Sequence, residues 1–92
     1  MTDSKRVREI EETLRREGYR HIYDWRDEPG ADYLDHAHLC LTAHIILEGE
    51  MTVTMNGETR TYHAGERFDI PAGAVHSARM GPAGCHYLVG EK

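Results

Sequence analysis

The chain is short of nearly everything that makes a function easy to name. Its 92 residues include two cysteines, one phenylalanine, one tryptophan and three prolines. Cys40 and Cys85 are too few for a disulfide framework, and without a CxxC pair they lack the spacing of a structural zinc clip. Eleven basic residues against sixteen acidic ones give a formal charge of −5, which argues against an electrostatic footprint for nucleic acid. No apolar run could cross a bilayer: the longest apolar-rich stretch, Leu39 to Leu47, is nine residues and contains His44. The opening MTDSKRVREI is polar and charged and holds no signal-peptide core, so reduced thiols in the cytoplasm and no membrane partner are expected. Leu, Ile, Val and Phe total only sixteen residues, near the level at which charged chains stay disordered. A core that thin usually gains stability from a metal, disulfides or a partner subunit.

What is present is pattern. Residues 3–17 predict one amphipathic helix, with Asp3 or Ser4 as N-cap, Val7, Ile10 and Leu14 at helical spacing, and Gly18 as the C-terminal stop. From Tyr19 onward the period changes to two. Short strands are expected at 22–25, 33–41, 44–48, 51–55, 58–63, 67–70, 76–80 and 85–89, with turns at Glu48-Gly49-Glu50 and Gly81-Pro82-Ala83-Gly84. Asn56-Gly57, directly after the alternating Met51, Val53 and Met55, is a strong two-residue hairpin signal. Such strands, mostly separated by Gly or Pro, imply a small antiparallel sandwich or barrel. Met55, Tyr62, Phe68 and Ile46 read as its lining.

Seven histidines (21, 36, 38, 44, 63, 76, 86) are the informative excess. His36 and His38 sit one residue apart on an expected strand, so both rings would point to one face and could chelate one ion. In a chain with seven histidines the same pair also arises by chance, and the pair alone does not decide. His21, His63 and His86 read as surface or hydrogen-bonded residues. Cys40 shares the parity of His38 but reads better as a small apolar residue than as a thiolate ligand.

Two longer patterns add to this. Gly30-ADYLD-His36-Ala37-His38-LCL-Thr42-AHIILE-Gly49 follows the spacing G-x5-H-x-H-x(3,4)-E-x6-G. Gly65-ERFDI-Pro71-Ala72-Gly73-AV-His76-SAR-Met80 follows G-x5-P-x-G-x2-H-x3-N. On these two motifs the chain resembles the cupin superfamily of small single-domain jelly-roll proteins. The resemblance implies a mainly β fold: a small antiparallel jelly-roll barrel over residues 19–92, carrying an N-terminal helix over residues 1–18, in one domain overall. It also implies that His36, His38 and His76 hold one divalent transition-metal ion. Iron is the first choice, with manganese, nickel, copper or zinc open, since histidine sites follow general affinity orders and cellular supply.

The chain departs from the pattern where the family has a glutamate ligand, because position 42 is threonine, a poor ligand for a divalent ion. The expectation is a three-histidine site with Thr42 lining the pocket. His44, at same-face spacing, is a weaker fourth candidate, because two residues along a strand shift a side chain by about 6–7 Å. The pattern names no catalytic residue and no organic cofactor. The first functional reading is a mononuclear metal-dependent, dioxygenase-like enzyme acting on a small, anionic substrate. The alternative is a non-enzymatic module that binds or senses a metal or small molecule, because the fold hosts both. A homodimer is expected too, with Ile22, Tyr23 and Trp25 on an edge strand to be covered.

Overall fold

The computed structural model describes residues 4–92; Asp3, one of the two expected N-caps, lies outside the described residues. Helix α1 spans Ser4–Arg16. It stops where Gly18 adopts a φ of +97°. There the Gly18 N–H donates to the Arg15 carbonyl at 3.0 Å and the Tyr19 N–H to the Leu14 carbonyl at 3.0 Å, a closing pattern that satisfies the last helical carbonyls. No helix among the described residues is long and apolar enough to cross a membrane.

Six strands follow: β1 (His21–Asp27), β2 (Asp32–His36), β3 (Thr42–Met55), β4 (Glu58–His63), β5 (Arg67–Ile70) and β6 (His76–Glu91). All pairings are antiparallel, and β3 and β6 form the spine. The first half of β3 pairs with β5 and with the end of β6, which also carries β1. The second half of β3 pairs with β4 and with the start of β6, which carries β2. Two four-stranded layers thus share two long strands, and the expected antiparallel jelly roll is what the chain forms.

The expected breaks inside the two long strands are bends. Residues 44–48 and 51–55 belong to one strand, and so do 76–80 and 85–89. The register shifts between Ile46 and Glu48 and again between Gly49 and Met51, where β3 faces Cys85 and Met80 of β6. Gly49 (φ +80°) and Gly84 (φ +78°) lie against each other at the corner, and a Cβ at 49 would run into the Gly84 carbonyl. Bulged glycines let a strand turn from one layer to the next without losing its partner. The Asn56-Gly57 hairpin forms as expected, with both residues at positive φ and Met55 opposite Glu58.

Alternation along β3 divides the apolar residues. Ala43 and Ile45 join Leu14, Tyr19 and Leu88 under the helix, with Val7 and Ile10 packed against them. Ile46, Met51 and Val53 face the interior with Phe68, Met80 and Val89, where Met55 and Tyr62 also pack. The helix therefore covers the outer face of one layer and leaves the inner space to the site.

Candidate metal centre and cavity

His36 closes β2 directly opposite His76, which opens β6. His38 does not lie on the strand with His36, as the sequence suggested. β2 ends at His36, residues 37–41 leave the sheet, and the Gly73 N–H ties the His38 carbonyl at 2.9 Å. Pro71-Ala72-Gly73 thus positions two histidines, launching His76 and holding the loop of His38. Ring centroids lie 4.3 Å apart for His36 and His76, 4.7 Å for His38 and His76, and 5.2 Å for His36 and His38. One ring nitrogen from each of the three falls within 4.8 Å of the other two, and among the described residues this is the group able to hold a metal ion.

The other ring nitrogens are occupied. Nδ1 of His36 donates to the Leu34 carbonyl at 2.7 Å, and Nδ1 of His76 to the Ala74 carbonyl at 3.0 Å. Nδ1 of His38 lies 2.9 Å from the Thr42 hydroxyl. A carbonyl can only accept, so in His36 and His76 the proton sits on Nδ1 and the lone pair on Nε2, the state an imidazole needs to bind a metal. Burial, with the neighbouring imidazoles adding to it, lowers the pKa of His38. Burial likewise lowers that of His76. Three imidazoles whose ring nitrogens converge fit a divalent transition-metal ion.

Thr42 needs a correction: it does not line the pocket. It is fully buried, is not among the residues that line the cavity, and has its hydroxyl bonded to His38. His44 does line the cavity but stands outside the group of three, its ring centroid 6.0 Å from that of His38. It stacks on Phe68 at 4.7 Å and 4°, and burial pushes its pKa down to about 3. Its Nδ1 is buried with no hydrogen-bond partner among the described residues. The remaining histidines behave as expected of structural ones. His63 bonds Glu66 at 3.2 Å, His86 bonds Asp24 at 2.8 Å, and His21 is exposed beside Tyr23. Cys85 is buried in the core, with burial raising its thiol to about 12, and Cys40 is half-buried in the loop after His38. Neither joins the three histidines.

The histidines open into a cavity of about 220 Å³. Tyr23 and Trp25, which the sequence placed at an edge awaiting a partner, line this cavity together with Tyr33 and Tyr87. Asp27 gathers that wall, accepting from Trp25 Nε1 at 3.0 Å, the Tyr33 hydroxyl at 2.7 Å and the Tyr87 hydroxyl at 2.6 Å. Sequence reasoning missed the wall. The alternation of Tyr23, Trp25 and Asp27 was the available signal, but it does not say which side of β1 faces in. No Lys, Arg, Asp or Glu is among the lining residues.

A family model for the cupin domain matches residues 23–89. No curated protein matches the chain. Among solved structures, a protein of unknown function from Rhizobium leguminosarum bv. viciae 3841 is 28% identical. It has a TM-score of 0.71, and the match covers 76% of this chain and 66% of that one. DMSP lyase DddQ from Ruegeria pomeroyi DSS-3 is 26% identical with a TM-score of 0.69, over 77% of this chain and 37% of that one. A cupin-2 domain protein from Shewanella frigidimarina NCIMB 400, at 24% identity and a TM-score of 0.66, matches over 76% of this chain and 67% of that one and shows the fold alone. The chain thus spans between about a third and two thirds of these neighbours' lengths.

Proposed function

The chain belongs to the cupin family, and from that premise we propose that it is a metal-dependent enzyme of the oxygenase type, acting on a small substrate held at His36, His38 and His76. The observation that carries this reading is the convergence of the three imidazoles. Leu34 and Ala74 accept from Nδ1 of His36 and His76, Thr42 is bonded to Nδ1 of His38, and one ring nitrogen of each histidine comes within 4.8 Å of the other two. A divalent ion held there would supply a Lewis-acid centre with positions open to substrate oxygens. The protein's own part is orientation and exclusion of water. Tyr33, Tyr87 and Trp25 are pinned by Asp27 into a fixed aromatic wall, and Met51, Val53 and Val89 give an apolar floor. Among the described residues no carboxylate shares the centre, which would leave the charge of a bound ion free to attract an anionic chelating group.

A second reading, a lyase, is supported by the 26% identity to a structure described as a DMSP lyase. The two differ in their need for dioxygen. Protein purified without an affinity tag should carry one divalent ion per chain, and His36→Ala should lose it. Substrate turnover that stops under anaerobic conditions supports the oxygenase reading, and turnover that continues supports the lyase. Metal and ligand binding with no turnover in either atmosphere refutes both, in favour of a binding module.

A further inference from the structure

Almost every polar group on the cavity wall is already engaged. His36 and His76 donate from Nδ1 to Leu34 and Ala74, Nδ1 of His38 is bonded to the Thr42 hydroxyl, and a ring nitrogen of each lies within 4.8 Å of the other two. The Tyr33 and Tyr87 hydroxyls and the Trp25 N–H all go to Asp27, and the Tyr23 hydroxyl reaches Glu91 at 3.4 Å. His44 is left over. It is 7% exposed, lies flat on Phe68, and keeps a buried Nδ1 with no partner among the described residues. A neutral imidazole always carries one donor and one acceptor, so burying it unpaired is costly, whereas a leucine or phenylalanine would fill the same wall at no such penalty. Its ring centre is 6.0 Å from that of His38, within reach of a group attached to whatever occupies the three-histidine centre.

The rest of the wall limits what that occupant can be. Ile70, Met80, Val53 and Val89 are apolar, and no Lys, Arg, Asp or Glu lines the cavity, so a charge away from the histidines would be desolvated without a partner. We infer that His44 is a specificity residue, which hydrogen-bonds a small ligand anchored at the three-histidine centre whose remaining body is uncharged and apolar. The inference rests on the metal-dependent reading of the same site.

The test uses the full chain loaded with Co²⁺, whose visible absorption reports both the ion and ligands entering its shell. Benzohydroxamate is the probe, since its two oxygens chelate, its N–H sits beside the chelate, and its ring is uncharged. His44→Phe is expected to bind Co²⁺ within about twofold of wild type but benzohydroxamate about tenfold more weakly, the size of one lost hydrogen bond in a dry site. His44→Gln, which can still donate and accept, should recover part of that loss. Wild type should bind 4-carboxybenzohydroxamate at least about tenfold more weakly than benzohydroxamate, since a buried unpaired carboxylate costs at least that much. Equal benzohydroxamate affinity in wild type and His44→Phe overturns the role of His44, and loss of Co²⁺ from His44→Phe overturns it in favour of a fourth metal ligand. Equal affinity of wild type for the two hydroxamates overturns the uncharged-body assignment. A wild-type chain that takes up no Co²⁺ refutes the metal centre, and this inference with it, before any hydroxamate is added.

Discussion

The hydroxyl of Thr42 stands 2.9 Å from Nδ1 of His38, fully buried, at the position where the family pattern calls for a glutamate. A residue expected on the cavity wall is therefore bonded to a cavity histidine without lining the cavity itself. From there it can fix the orientation of the His38 ring. Such supporting contacts typically change metal affinity by about 10- to 100-fold when removed. Thr42→Val, which keeps the shape and deletes the hydroxyl, should weaken metal binding in that range, whereas Thr42→Ser should retain most of it. Competition with a chromophoric chelator measures both. Equal affinity of the valine variant would deny Thr42 an orienting role.

Metal binding should show in the stability of so small a core. At free metal about 100 times Kd, the folded form gains about 2.7 kcal/mol. For a domain of this size that raises Tm by roughly 10–20 °C. Adding excess chelator should reverse the gain, and His36→Ala should show neither the rise nor the reversal. Calorimetry that finds the same Tm with and without metal in wild type would rule out His36, His38 and His76 as a binding centre.

Arg67 ties the end of the helix to the barrel. It reaches Glu17 at 2.7 Å and Asp69 at 2.8 Å, and Asp69 also accepts the Tyr19 hydroxyl at 2.9 Å. The hydrogen bonds from Arg67 hold both carboxyls below their ordinary values of 4.5 for Glu17 and 3.8 for Asp69. The unfolded chain therefore takes up protons first on acidification. This contribution is complete above pH 4.5 and is lost as the pH falls through the lowered native values. The three side chains are 31–40% exposed, so the tie is worth no more than about 1 kcal/mol at neutral pH. Arg67→Met should flatten the acid limb of a Tm-against-pH curve relative to wild type, and an unchanged limb would show that other groups set it.

Gly49→Ala should be far more damaging than its size suggests. The residue has φ +80°, and its missing Cβ leaves room for the Gly84 carbonyl where β3 turns between layers. Strain in the left-handed region alone costs about 1–2 kcal/mol, and the backbone must also move aside. A loss of at least about 2 kcal/mol is expected in urea unfolding, while Gly57→Ala, with open space around its Cβ position, should cost less. Equal losses at the two positions would refute the close approach at the corner.

We propose that a second copy covers the free edge of β1. Among the described residues that strand pairs only with β6, which leaves its other edge open, and elsewhere on the surface Leu34, Leu39 and Val75 are 79%, 102% and 59% exposed. Light scattering at tens of micromolar should return twice the mass of one chain, because an interface of ordinary size holds at that concentration (~10⁻⁵ M). A monomer there refutes the pairing.

Much of the fold was legible because it depends on short-range rules. The period of two, the Asn56-Gly57 turn, and a helix ended by Gly18 are each decided within a few residues, by steric limits on φ and by alternation of side chains. The three histidines of the centre were legible as well, carried by the spacing of two motifs. Tertiary structure decided what those residues do. Whether Glu48-Gly49-Glu50 ends a strand or bends one depends on β6 lying alongside with its own bulge, and that partner is 35 residues away in sequence from Gly49 to Gly84. Asp27 and Tyr87 are 60 residues apart and meet only through the pairing of β1 with β6. Thr42 could be read as an absent ligand but not as the support of His38, because that depends on β2 ending at His36 and the following loop folding back. The sequence by itself determined the strand period, the Asn56-Gly57 turn and the end of the helix through local geometry, and its two motifs singled out the three histidines. Which side chains share one cavity, and that His44 is left there without a partner, was decided by long-range strand register, which no local spacing encodes.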